Sequence, residues 1–94
     1  MNKVIFTQTA EDDYLSLLGD LSRVSLDQAL ALDEKMNKLI ENLAQFKYFC
    51  PPTRNFPKFR RCVITKYLSL VYEVGESSIT IISIFNNRNR SPFT

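Results

Sequence analysis

The stretch "FRRCVITKYLSLVYEV" (Phe59–Val74) decides the fold because it holds two β-branched and aromatic runs around one short break. The runs Phe59–Thr65 and Leu68–Val74 flank Lys66-Tyr67, which is the length of a tight hairpin turn. Along the second run, one set of alternating positions is apolar and the other semi-polar; the apolar set is Leu68, Leu70, Tyr72 and Val74. This alternation is typical of a strand with one face on a core. We therefore predict an antiparallel hairpin with Tyr72 in the core.

A third strand is predicted at Ile79–Phe85, after a turn at Gly75–Ser78. It runs directly into the polar segment "NNRNR" (Asn86–Arg90). In an antiparallel meander, the end of the last strand lies at the same edge as the turn between the previous two. We therefore expect Asn86–Arg90 to lie beside the Thr65–Tyr67 turn.

The first half of the chain predicts one strand and two helices. Lys3–Thr7 is a short β-branched run, and Thr9 is predicted to be the N-cap of the first helix. Apolar side chains from Ala10 to Leu21 recur at helical spacing. A second helix is predicted from the cap Ser25 to a point near Phe46, before the proline pair that stops it.

The apolar stripe of this second helix is interrupted by Asp33, where a hydrophobic residue is due. The element order is β-α-α-β-β-β, which predicts an α+β fold with an antiparallel sheet and two helices packed on one face. Ninety-four residues suit a single domain over the whole chain, 1–94.

Composition limits the chemistry. The chain has no histidine, which excludes imidazole-based acid–base catalysis, Ser/His and Cys/His pairs, and zinc sites built on imidazole. Any catalysis must use Lys, Arg, Tyr or carboxylates, and nothing in the sequence indicates a metal or a cofactor. The N-terminus does not resemble a signal peptide, so we expect a cytoplasmic protein. In that compartment Cys50 and Cys62 are expected to be reduced and buried.

Charge is distributed unevenly along the chain. Residues 1–46 carry four basic and eight acidic side chains, whereas residues 47–94 carry eight basic and two acidic ones. A basic half on a nearly neutral chain favours a surface that meets an anion, either a nucleic acid or an acidic protein. A basic surface kept only for solubility is the alternative.

The predicted meander divides the basic residues between two edges of the sheet. Lys66, Arg88 and Arg90 are expected on one rim, together with Tyr67. Lys58, Arg60 and Arg61 begin a strand, so at ~3.3 Å per residue they are expected ~20 Å away at the opposite edge. A groove that follows a phosphate backbone could use both clusters.

Taken in order, "TQTAEDDYLSL", "LIENLAQFKYFCPP", "FRRCVITKYLSLVYEV" and "ITIISIFNNRNRSP" resemble the RelE/ParE family of bacterial toxins from toxin–antitoxin pairs. The resemblance covers nearly the whole chain. It implies a toxin neutralised by a cognate antitoxin protein, which wraps the toxin with an amphipathic helix or strand. RelE-like members cut messenger RNA on the ribosome, whereas ParE-like members poison DNA gyrase without chemistry.

For an RNase of this family, the resemblance implies that Lys66, Arg88 and Arg90 act on the scissile phosphate. Fixed cations would stabilise the pentavalent phosphate, and a basic side chain would assist proton transfer. The nucleic acid would be bound by a second set of residues, which are Lys58, Arg60, Arg61, Tyr67 and Asn87.

The sequence also departs from the RNase pattern. "VIT" (Val63–Thr65) occupies the region where the family has a second arginine. The aromatic residue that the family has after the last strand is either Phe93, which has no hydroxyl, or absent. The sequence weakly favours a ribosome-dependent RNase, with a ParE-like gyrase inhibitor, a decayed toxin or a basic adaptor domain as alternatives. Arg88 and Arg90 are alternatively solvated tail charges. Arg60 and Arg61 alternatively brace a strand edge or pair with helix acids.

Overall fold

The computed structural model describes residues 1–88, so Arg90 and Phe93 lie outside the described part of the chain. The element order β-α-α-β-β-β is confirmed. The elements are β1 (Lys3–Phe6), α1 (Gln8–Val24), α2 (Leu26–Gln45), β2 (Phe59–Val63), β3 (Leu68–Val74) and β4 (Ser78–Asn86). Predicted and observed ends agree within two residues for every strand, and β3 agrees at both ends.

The four strands form one sheet in the order β1-β4-β3-β2. The pairs β2–β3 and β3–β4 are antiparallel, as predicted, but β1 runs parallel to β4 from Lys3↔Ser78 to Phe6↔Ile81. The prediction of a purely antiparallel sheet is therefore wrong, and the sheet is mixed. The residue pattern within β1 does not encode its direction, which is set by the helical hairpin that separates β1 from the rest of the sheet.

The start of α1 also differs from the prediction. Thr7, rather than Thr9, is the N-cap: its backbone is extended and its Oγ1 accepts a hydrogen bond from the Ala10 amide at 3.1 Å. The same hydroxyl donates to the Ile82 carbonyl at 3.0 Å. Thr7 therefore begins the helix and ties it to β4, which a reading of the capping box alone does not detect. The predicted cap of α2 is confirmed, since Ser25 Oγ accepts from the Gln28 amide.

The interruption of the α2 stripe has a physical cause. Asp33 Oδ1 accepts a hydrogen bond of 2.5 Å from the hydroxyl of Tyr14 on α1. Burial, this hydrogen bond and the carboxylate charge together raise the pKa of Tyr14. Asp33 thus joins the two helices at a position where a hydrophobic side chain would leave the Tyr14 hydroxyl without this acceptor.

The core lies between the helical hairpin and one face of the sheet. Its buried residues come from α1, α2, the α2–β2 loop, β2, β3 and β4: Ala10, Met36, Leu43, Cys50, Cys62, Leu70, Tyr72, Ile79, Ile81 and Ile84. Tyr72 is fully buried, which confirms its predicted place. Its hydroxyl donates to the Lys47 carbonyl at 2.8 Å and accepts from the Cys50 amide at 3.3 Å, so the buried polar atom is satisfied.

Cys50 and Cys62 form a disulfide, so the expectation of two reduced thiols is wrong, although both residues are buried as predicted. The loop before β2 pairs with that strand through an isolated Pro52↔Arg60 bridge, and the Arg61 amide donates to the Pro51 carbonyl at 3.0 Å. This pairing brings the two cysteine Cα atoms to 5.3 Å. The expectation rested on the compartment and on sequence spacing, and neither reveals the pairing of the loop with the edge of β2.

We predict that reduction of this disulfide lowers the free energy of unfolding by about 2–4 kcal/mol, because the cross-link restricts the unfolded chain. Urea denaturation of the oxidised and the reduced wild-type chain measures the difference. The double variant Cys50→Ala with Cys62→Ala is the control, and its stability must not change when reductant is added. Coincident denaturation curves for oxidised and reduced wild-type chain would contradict the prediction.

Candidate functional site

The end of β4 returns to the turn between β2 and β3. Asn86 pairs with Leu68 at the last position of the β3–β4 ladder, and the Asn87 amide donates to the Tyr67 carbonyl at 2.6 Å. The Asn87 side-chain amide donates to the Lys66 carbonyl at 3.0 Å. The structure therefore brings Asn86–Arg88 to the turn, which is the placement that the meander predicts.

Two cations meet one aromatic ring at this turn. Lys66 Nζ lies 5.7 Å and Arg88 Cζ lies 5.2 Å from the centroid of the exposed Tyr67 ring. Both distances are within the range of cation–π attraction. The Arg88 amide also donates to Asn86 Oδ1 at 2.8 Å, which fixes the backbone that carries the guanidinium. Lys66, Tyr67 and Arg88 are hereafter called the turn site; Arg90 lies outside the described residues.

Arg61 does not lie at the opposite edge of the sheet, so the predicted separation from Asn87 is wrong. Arg61 pairs with Val71, and its side chain extends along the outer face of the sheet towards the turn. Its Nε donates to Ser69 Oγ at 3.1 Å and its Nη2 donates to Asn87 Oδ1 at 3.0 Å. The prediction counted only the rise of the backbone along the strand and ignored the length of the arginine side chain. That side chain reaches from the Arg61↔Val71 pair past the Val63↔Ser69 pair to Asn87.

Ser69 completes this network, and the sequence analysis did not identify it. Its side chain is fully buried, and its Oγ donates to Asn87 Oδ1 while accepting from Arg61. The Arg61 guanidinium also lies 5.6 Å from the Phe85 ring centroid. Ser69 shares its strand face with Val71, the partner of Arg61, but that pairing is known only from the register in the structure.

Lys58 and Arg60 do not join the turn site. Lys58 Nζ lies 3.7 Å from Glu73 Oε2 in an exposed ion pair, which contributes little to stability. Arg60 Nη1 donates to the Cys50 carbonyl at 2.6 Å, and its Cζ lies 4.7 Å from the Tyr48 ring centroid. Arg60 thus braces the loop before β2. Its acceptor is a backbone carbonyl oxygen, not one of the helix acids that the sequence analysis considered as partners.

Within residues 1–88, the turn site and its support hold positive charge without a carboxylate partner. In residues 1–88, ion pairs within 4.0 Å are formed by Arg23 with Asp20 and by Lys58 with Glu73. Arg61, Lys66 and Arg88 are therefore not neutralised by a carboxylate in that part of the chain. Fixed cations of this kind can bind an anion; proton transfer at the turn site would have to use Lys66 or Tyr67, as the chain has no histidine.

An apolar groove opens beside the turn site, between the helical hairpin and the sheet. Its lining combines four leucines with other apolar residues and a polar rim: Leu17, Leu21, Gln28, Ala31, Leu32, Lys35, Thr65, Tyr67, Leu68 and Asn86. Two lining residues connect the groove with the turn site. Tyr67 belongs to the turn site, and Asn86 supports it by accepting from the Arg88 amide. A ligand seated in this groove would contact Tyr67 from the helix side.

Comparison with known families gives one match over nearly the whole chain. The family described as the ParE toxin of the type II toxin–antitoxin system parDE matches residues 4–90. The chain therefore belongs to this family, within the RelE/ParE toxins, and it is a toxin of a type II toxin–antitoxin system. A cognate antitoxin is thus its implied partner. The comparison with curated proteins gave no significant match.

Solved toxin structures share the fold at low sequence identity. A chain of the chromosomal ParDE system of P. aeruginosa has a TM-score of 0.71 and 19% identity, with 92% of this chain and 96% of that chain covered. A YoeB/ParE toxin of Agrobacterium tumefaciens has a TM-score of 0.65 and 21% identity, covering 90% and 98%. YafQ of E. coli has a TM-score of 0.65 and 10% identity, covering 94% and 96%. These similarities show the fold alone.

Proposed function

We propose that this chain is a ParE-like inhibitor of DNA gyrase, which acts in the cytoplasm by binding and without breaking a bond. The observation that carries the proposal is the network of Arg61, Ser69 and Asn87. Arg61 commits Nε and Nη2 to protein acceptors. It therefore supports Asn87 and the tail instead of presenting a bidentate guanidinium to a phosphate.

The groups left at the surface favour docking over catalysis. Lys66, Tyr67 and Arg88 form a compact cationic and aromatic tip on a rigid turn. Tyrosine and arginine dominate the energetics of protein interfaces, because a flat ring and a planar cation bury contact area at low entropic cost. The description of the matching family as a ParE toxin agrees with this use of the tip.

A ribosome-dependent RNase is the second candidate, and one observation favours it. The turn site places Lys66 and Arg88 around one tyrosine, which is a set that can stabilise a phosphate and exchange a proton. The sequence favours this function on Lys66, Arg88 and Arg90; we rank it second because Arg61 binds protein acceptors and does not add a free guanidinium to that set. In either case Arg88, and by proposal Arg90, belong to the surface that meets the target.

We propose that the antitoxin docks its amphipathic segment in the apolar groove beside the turn site. Leu17, Leu21 and Leu32 would meet the apolar face of that segment, and Lys35 on the rim would meet its acidic side chains. Because Tyr67 lines both surfaces, an occupied groove would also restrict access to the turn site. This arrangement would neutralise the toxin by covering the apolar surface and the basic tip together.

We predict that Arg88→Ala with Arg90→Ala abolishes growth arrest when the chain is induced in bacteria, because the proposed target surface loses both of its arginines. The wild-type chain is expected to inhibit supercoiling by purified gyrase and to induce double-strand breaks with an SOS response. Messenger RNA is expected to stay uncut by primer extension. The matched control is Arg23→Ala with Lys38→Ala, which removes two exposed helical cations and is expected to remain toxic.

Three results would contradict this assignment. Cut messages with normal supercoiling would establish the RNase instead, and unimpaired growth would indicate an adaptor or a decayed toxin. A double variant of Arg88 and Arg90 as lethal as the wild-type chain would remove the turn site from the target surface.

We predict that Ala31→Glu prevents neutralisation while leaving the toxin active. Ala31 is exposed on α2 and lines the groove, so a carboxylate there would meet an apolar, acidic antitoxin segment. Co-expression with the antitoxin gene is expected to rescue the wild-type chain and to fail with the variant. The control Asn37→Glu adds the same charge at an exposed α2 position outside the groove lining, and rescue of this control is expected. Full rescue of Ala31→Glu would place the antitoxin elsewhere.

A further inference from the structure

Three aromatic side chains project from the beginning of the α2–β2 loop. Phe46, Tyr48 and Phe49 are 61%, 63% and 52% exposed, respectively. An exposed apolar cluster of this kind on a small protein marks an interaction surface more often than a solvated one.

The backbone beneath these rings is fixed. The Phe46 amide donates to the Asn42 carbonyl at 2.8 Å, and the Phe49 amide donates to the Phe46 carbonyl at 2.9 Å. The Lys47 carbonyl accepts from the buried Tyr72 hydroxyl, and Cys50 is cross-linked to Cys62. The rings are therefore held outward by a rigid support, so that little conformational entropy remains to be lost on binding.

Two cations lie beside the Tyr48 ring. Lys47 Nζ and Arg60 Cζ lie 5.6 and 4.7 Å from the Tyr48 ring centroid. Both cations donate to backbone carbonyl oxygens, Lys47 to Glu76 at 2.9 Å and Arg60 to Cys50 at 2.6 Å. These hydrogen bonds hold the two side chains in place without neutralising their charge.

This surface is separate from the turn site. Lys47 contacts the Gly75–Glu76 turn, whereas Tyr67 lies at the other end of β3. Seven strand residues at ~3.3 Å each separate the two ends by ~20 Å. A ligand at the rings would therefore leave both the turn site and the apolar groove open. Glu76 is the acidic residue of the Gly75–Ser78 turn, and its carboxylate forms no ion pair with Lys47 within 4.0 Å.

We propose that Phe46, Lys47, Tyr48, Phe49 and Arg60 form a surface, called the loop surface, that binds single-stranded nucleic acid. Unpaired bases would stack on the exposed rings, and the adjoining phosphates would meet Lys47 and Arg60. Flat rings interleaved with cations are what sequence-tolerant binding of single strands requires. An acidic peptide would use the cations but would have no need of three flat rings. The loop surface serves a gyrase inhibitor and an RNase equally, so the proposal does not depend on which target is correct.

Fluorescence anisotropy of the full chain with a labelled oligothymidine of ~16 nucleotides tests the proposal. We expect Tyr48→Ala to weaken binding about tenfold, since stacking on one aromatic ring contributes ~1–3 kcal/mol per base. Phe46→Ala is the second variant, because Phe46 is not the ring stacked by Arg60, and we expect a loss of the same order. The matched control is Leu26→Ala with Leu30→Ala, which removes similarly exposed side chains (62% and 60%) from α2 and should leave the affinity unchanged.

The salt dependence provides a separate readout. Arg60→Gln keeps a hydrogen-bond donor for the Cys50 carbonyl but removes the charge, so the slope of log Kd against log salt should fall by ~0.7. No binding by the wild-type chain, or equal losses in the ring variants and the leucine control, would overturn the proposal. It would also be overturned if an acidic peptide without aromatic residues, or an anionic lipid vesicle, bound with the same loss in Tyr48→Ala.

Discussion

The arrangement of this toxin depends on one residue, Asn87, which joins three parts of the chain. Its backbone amide binds the Tyr67 carbonyl, and its side-chain amide binds the Lys66 carbonyl. Its Oδ1 accepts from Arg61 and from the buried Ser69 hydroxyl. Hydrogen bonds from a charged donor to a partly buried acceptor are stronger than neutral ones, and a lost partner would leave buried polar groups unsatisfied. The position of Arg88 beside Tyr67 follows from this anchoring.

A second constraint is the distribution of charge. The helices carry most of the acidic residues and the sheet half carries most of the basic ones, yet each ion pair formed within residues 1–88 joins two residues of the same half. The basic residues are held instead by carbonyl oxygens and aromatic rings. Their positive charge is thus kept at the surface on fixed supports. For a toxin that must meet an anionic or acidic partner, this is a preorganised electrostatic surface.

Much of the fold was predictable because its information is local. Alternation along Leu68–Val74 marks a half-buried strand, and the Ser25 cap is a property of four adjacent residues. The direction of β1 and the Cys50–Cys62 bridge were not predictable, since both depend on which distant segments pair. The site could be predicted only in part. The geometry of a meander predicts that the end of β4 meets the turn, but the contact between Arg61 and Asn87 can be predicted only when the strand register is known. The buried Ser69 has no sequence signal until that register is known.

Amide hydrogen exchange at Asn87 tests the central claim most directly. If the Asn87 amide is held by the Tyr67 carbonyl, its exchange should be slowed to an extent similar to that of amides inside the β3–β4 ladder, such as that of Phe85. Exchange at the rate of an exposed, unbonded amide, with the β3–β4 ladder still protected, would show that the tail is not anchored to the turn. The turn site, and the account of how Arg88 is positioned, would then be wrong.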